Sequence, residues 1–112
     1  MLQLAAWFIL HGIPIVQLNI KSQAGGPDLV VLIGDKRYAI EYERPGSHNF
    51  KELVEKKEGI ENSGAEPLFI CQKGNLEDVI RAVGDKNVVQ RGSELISKLE
   101  ELKQLNERKV DK

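Results

Sequence analysis

Apolar positions recur along the chain in two rhythms, one near four residues and one near two, and the changes between them mark out its elements. Leu2, Ala5, Ala6, Ile9 and Leu10 keep helical spacing until Gly12 and Pro14 end it, predicting a short amphipathic opening helix. From Ile13 to Ile20 the rhythm becomes two, with Ile15, Gln17 and Asn19 on one face and Val16, Leu18 and Ile20 on the other. After a loop from Lys21 to Gly26, two strands are expected, Asp28 to Ile33 and Tyr38 to Glu43. The connection through Gly34, Asp35, Lys36 and Arg37 is short enough only for an antiparallel hairpin. Pro45 and Gly46 close the second strand, Ser47 suits an N-cap, and Phe50, Leu53, Val54 and Ile60 form the stripe of the next helix. Lys57 falls on that stripe and Lys56 is expected to point outward to the surface. A strand over 67–72, a helix over 75–83, a strand over 87–90 and a helix over 93–108 follow, leaving 109–112 to fray.

The order α-β-β-β-α-β-α-β-α, a hairpin followed by strand-helix crossovers, predicts an α/β fold: one mixed β-sheet flanked by helices on both faces. At 112 residues the chain has room for one domain, over 1–108. Charged residues make up 29% and hydrophobic ones 41%, a globular rather than a disordered composition. The net charge of -1 argues against a protein that coats nucleic acid by charge alone, though an acidic metal site would itself lower the sum. Cys71 is the single cysteine, which excludes an intrachain disulfide and a zinc site built on several thiolates. No run reaches the length of a membrane span, and the apolar start lacks the charge and cleavage pattern of a signal peptide, so a cytoplasmic location is expected.

The chemistry gathers on the hairpin. Glu41 and Glu43 alternate to one face and Tyr42 to the other. Asp28 joins the two glutamates only in an even register, and the expected pairing is Ile33 with Tyr38, Val30 with Glu41 and Asp28 with Glu43. Three carboxylates so placed repel one another, and a hard divalent cation, Mg2+ or Mn2+, would neutralise them. The main-chain carbonyl of Tyr42 offers a further oxygen. Such a cation can polarise a phosphodiester and acidify a bound water. A solvated strand end is the plain alternative for each carboxylate taken singly. Lys21, Arg44, His48 and Lys51 are placed around the mouth of the site, where their functional reading is contact with DNA phosphates. No pattern for a small-molecule cofactor is present.

Pro27-Asp28, an apolar strand, a tight turn and a strand ending Ile40-Glu41-Tyr42-Glu43 resemble the PD-(D/E)XK nuclease superfamily, with its restriction-endonuclease-like core. The layout is closest to the small archaeal Holliday junction resolvases, and the resemblance covers Leu2 to about Cys71. It is also similar to nuclease-like domains of plasmid and phage replication proteins. The resemblance implies a metal-dependent endonuclease acting on DNA, branched DNA included, and working as a homodimer. Asp28 and Glu41 match the family's metal-binding acids, and Glu43 stands where the family has lysine. In that position Glu43 would serve as a further metal ligand or as a base, with Lys57, or its rival Lys51, supplying the missing cation from the helix. The first-helix glutamate of the family has no counterpart here. A catalytically inactive nuclease fold that binds DNA or a protein partner is the other expectation.

Overall fold

The computed structural model describes residues 2–19 and 27–110. Helix α1 (Leu2–Leu10) leads into β1 (Ile15–Leu18), β2 (Leu29–Ile33) and β3 (Lys36–Glu43). Helix α2 (Phe50–Asn62), β4 (Glu66–Cys71), α3 (Leu76–Val83), β5 (Val88–Gln90) and α4 (Ser93–Val110) complete the order read from the sequence. The five strands lie in the order β1-β2-β3-β4-β5. β1, β2 and β3 pair antiparallel, while β3, β4 and β5 run parallel through the crossover helices. The result is a mixed α/β sheet with a helical layer on each face.

Strand alternation sorts the side chains into two cores. On one face Leu29, Val31 and Ile33 of β2, with Ile40, Leu68 and Ile70, pack under α1 and α4 through Phe8 and Leu102. On the other face Val30, Ala39, Phe69 and Cys71 pack under α2 and α3 through Leu53, Ile60, Val79 and Val83. Glu41 and Glu43 share the parity of Ala39, so they project toward α2, whereas Tyr42 faces the α1/α4 side.

Several boundaries differ from the sequence expectation. The hairpin turns on Gly34 and Asp35 alone, with Gly34 at φ 66°, and Lys36 and Arg37 belong to β3. Ile33 therefore pairs with Lys36 and Val30 with Ala39 rather than with Tyr38 and Glu41. The shift is two residues, so every side chain keeps its expected face while the partners change. Asp28 lies one residue before β2, and continuing the register sets it level with Glu41 rather than Glu43.

The N-cap of α2 is Asn49, not Ser47. Its side chain accepts the Glu52 N–H at 2.9 Å, and the Glu52 carboxylate accepts the Asn49 N–H at 2.9 Å. This reciprocal pair satisfies two of the donors a helix start leaves open. Helix α1 buries Ala5 and Phe8, while Leu2, Ile9 and Leu10 of the expected stripe are exposed. Helix α4 continues through Val110 instead of fraying after Arg108. Among the described residues no helix is long and apolar enough to cross a membrane.

Candidate active site

β3 is the third of five strands; its end, Glu41 to Glu43, runs past the β2 ladder and pairs with β4, and α2 packs over the face onto which the two glutamates project. Glu41 and Glu43 are 2% and 1% exposed. Burying carboxylates to this extent is costly unless they are paired and hydrogen-bonded. The partner is Lys56 of α2, whose Nζ lies 2.8 Å from Glu41 Oε2 and 3.1 Å from Glu43 Oε1. Lys56 is therefore not the outward-pointing surface residue the stripe assignment suggested. The helix is anchored by Leu53 and Ile60, which leave Lys56 and Lys57 symmetrically placed on either side of the line between them, and it is the contact with Glu41 and Glu43 that singles out Lys56.

Lys57 lies one step around the helix, 4.0 Å from Glu61 in an i,i+4 pair, and makes no described contact with the carboxylates. Phe50, counted with the apolar stripe in the sequence, is exposed.

The remaining bonds divide the two glutamates. Glu43 Oε2 accepts from Ser47 Oγ at 3.0 Å and lies 2.8 Å from His48 Nδ1. With Lys56 on Oε1, both oxygens of Glu43 are taken. Its backbone carbonyl accepts from the buried Asn75 Nδ2 at 3.1 Å. Glu41, by contrast, is engaged only through Oε2 among the described residues.

Asp28 Oδ2 accepts the Tyr42 N–H at 3.0 Å, which holds that carboxylate against β3. Its charge is felt at Glu41. Burial pushes the Glu41 carboxyl above its ordinary value, Lys56 pulls it back by hydrogen bond and charge, and Asp28 and Glu43 push it up again. For Lys56 burial acts downward, but the hydrogen bond to Glu41 and the two carboxylate charges outweigh it, and the ammonium stands above its ordinary value. A cavity of about 250 Å³ opens beside Glu41 and Lys56, bordered by Pro27, Glu55 and Gly59.

Of the residues placed here from the sequence, Asp28, Glu41 and Glu43 are brought together with His48. Arg44 and Lys51 are exposed near the strand end and helix start, and Lys21 lies outside the described residues. The donors missed were Lys56, Ser47 in its role on Glu43, and Asn75. The spacing of Leu53 and Ile60 fits Lys56 and Lys57 alike and so does not single out Lys56, whereas the Asn49 cap was readable from Asn49-x-x-Glu52.

Three carboxylates against one ammonium leave surplus negative charge, and the donor chemistry suits a hard cation at Asp28 and Glu41. Glu43 is the more heavily engaged of the two glutamates, with Lys56 on one oxygen and Ser47 and His48 at the other. Consistent with that division, among the described residues no three His, Cys, Asp or Glu side chains are gathered to enclose one ion. Mg2+ commonly takes one or two carboxylates and keeps water for the rest. No family model matches the sequence, and no curated protein or solved structure matches it.

Proposed function

We propose that the domain is a Mg2+- or Mn2+-dependent endonuclease of the PD-(D/E)XK kind, acting on DNA, with replication or branched intermediates as its substrates. The observation that carries this reading is Lys56 Nζ lying between Glu41 and Glu43. What supports the reading is a lysine beside two strand-end acids, supplied by α2 and not by β3. Asp28 and Glu41 would hold the cation, which supplies Lewis acidity for the phosphodiester and for a bound water.

Lys56 remains protonated at neutral pH, since its carboxylate partners raise its pKa. It therefore acts as a donor and a fixed positive charge beside the reacting phosphate and not as the base. Glu43 is its positioning partner, held in turn by Ser47, His48 and Asn75. Arg44 and Lys51 are the exposed cations available for backbone phosphates. Cutting both strands of a duplex calls for two such sites, and a homodimer would provide them.

The direct test incubates the purified chain with linear, single-stranded and four-way DNA in the presence of Mn2+ or Mg2+. Cutting that is lost in D28A and K56M supports the proposal. No cutting of any substrate, with no metal bound by calorimetry, sinks it. The second reading, an inactive fold that binds DNA or a protein, is favoured by the saturation of Glu43. It predicts DNA binding that survives D28A in a protein that never cuts.

A further inference from the structure

A second cavity, of about 300 Å³, opens on the opposite face of the sheet from the carboxylates. Its polar lining comes from three separate parts of the chain: Gln3 on α1, Tyr42 on β3 and Arg91 just after β5. Leu4, Ile70 and Leu95 supply the apolar wall. It lies at the carboxyl ends of the parallel strands, where Glu43, Cys71 and Gln90 are in register. Open α/β sheets bind their ligands at such strand ends.

The hydrogen bonding is unbalanced toward donors. The Tyr42 phenol oxygen accepts from Gln72 Nε2 at 3.1 Å and from Arg91 Nη1 at 3.4 Å. A hydroxyl can accept two bonds and donate one, so the Tyr42 proton is left over, and no described residue accepts it. Arg91 has no carboxylate partner among the described residues. Glu94, close by in sequence, accepts the Gln90 N–H at 3.2 Å instead. A guanidinium, a phenol proton and a side-chain amide thus border one space that no acid enters.

We propose that this cavity binds the phosphate of an organic phosphomonoester, with the phosphate on Arg91 and Tyr42 and the organic part against Leu4, Ile70 and Leu95. A carboxylate has two oxygens and would be satisfied by the guanidinium fork alone. A phosphomonoester has three terminal oxygens, matching donors that arrive from three elements. The volume is at the lower end of the range for small-ligand pockets, enough for one nucleotide-sized group. A free nucleotide and the phosphorylated end of a strand share this chemistry. The proposal does not depend on the nuclease reading, because it uses the other face of β3.

Calorimetric titration of the full chain with AMP, a 5′-phosphorylated tetranucleotide, inorganic phosphate and acetate tests it, in the unaltered protein and in R91Q, Y42F and E41Q. Arg91 is exposed, and the Tyr42→Phe change keeps the ring, so both variants are expected to fold. AMP or the tetranucleotide should bind, more tightly than phosphate alone, with the preferred probe identifying the source. R91Q should weaken binding about tenfold or more, as loss of a charge-assisted bond does. Y42F should weaken it severalfold and E41Q should leave it unchanged. Absence of binding by every phosphorylated probe, undiminished binding in R91Q or Y42F, acetate binding as tight as phosphate, or loss in E41Q would each overturn the assignment.

Discussion

Removing the Lys56 ammonium while keeping its bulk, as in K56M, leaves Glu41 and Glu43 buried beside Asp28 without their shared cation. Both carboxylates are almost wholly enclosed, while the Lys56 side chain is 22% exposed. Breaking a buried ion pair from one side typically costs about 3–5 kcal/mol, and the partial exposure of Lys56 argues for the lower end, about 3 kcal/mol. For 112 residues the unfolding entropy is about 0.24 kcal/mol/K near 60 °C, so this corresponds to a fall in Tm of about 12 °C.

The pH dependence has a definite sign. Glu41 already stands above its ordinary 4.5, and K56M removes the two influences that lower it, so its carboxyl rises further. A carboxyl raised in the folded state favours folding in acid and loses that contribution as pH rises through its folded pKa. The raised Lys56 contributes fully below its ordinary 10.5 and is lost above its folded value. The deficit of K56M should therefore be small below about pH 4.5, open as Glu41 ionises, and close again in strong alkali. Urea unfolding of the parent, K56M, E41Q and E41Q/K56M across pH 4 to 9 measures it. The double-mutant cycle should show coupling of about 1–3 kcal/mol at neutral pH. A K56M deficit under about 1 kcal/mol, flat with pH, would mean the pair behaves as a solvated surface contact and would refute the reasoning.

Three further outcomes are expected. Exchanging the charges in E43K/K56E should recover part of the stability that E43K and K56E each lose, measured by urea unfolding; a double variant no better than its worse parent would count against a direct pairing of the two positions. N49A should cost about 1 kcal/mol by loss of the reciprocal cap, measured by urea unfolding, and a cost near zero would count against the cap. Cys71, fully buried with its thiol pushed up to about 11, chiefly by burial, should not react with a disulfide reagent at pH 8 until the chain unfolds, and rapid labelling of the folded protein would contradict its placement.

The elements were legible because most of them carry strong local signals. The β2, β4 and β5 runs are too apolar to be loops, and Gly34, Pro45 and Gly84 punctuate them. The parity of the hairpin was legible for the same reason, since a one-residue slip would have turned Leu29, Val31 and Ile33 away from Phe8 and Leu102. Its absolute register was not. Lys36 and Arg37 have the composition of a turn, and only pairing with Ile33 and Leu32 makes them strand. Helix α1 is apolar nearly all round, so its sequence carries little information about which side meets the sheet. In α2 the buried Leu53 and Ile60 leave Lys56 and Lys57 equally placed, and counting Phe50 and Val54 as core turns the stripe toward Lys57. The Asn49 cap leaves Phe50 at the first turn, where it need not be covered.

The side of α2 that meets the sheet decides how Glu43 is understood. Against the motif that the sequence resembles, Glu43 stands in place of a lysine and adds a negative charge, which on the sequence alone looks like loss of a site. In the fold, Glu43 is the residue that allows a lysine to sit there from another element. Lys56 beside Glu41 alone would be a one-to-one pair, with little to offset burial of both groups. With Glu43 on its other side the ammonium gains a second acceptor, and Ser47 and His48 satisfy the oxygen that Lys56 does not reach. Glu41 is thereby left with one oxygen unclaimed by the described residues, next to Asp28 and to the cavity. Glu43 and the helix lysine therefore form one arrangement: Glu43 holds the Lys56 ammonium in place and Glu41 keeps an oxygen for whatever ion or water approaches.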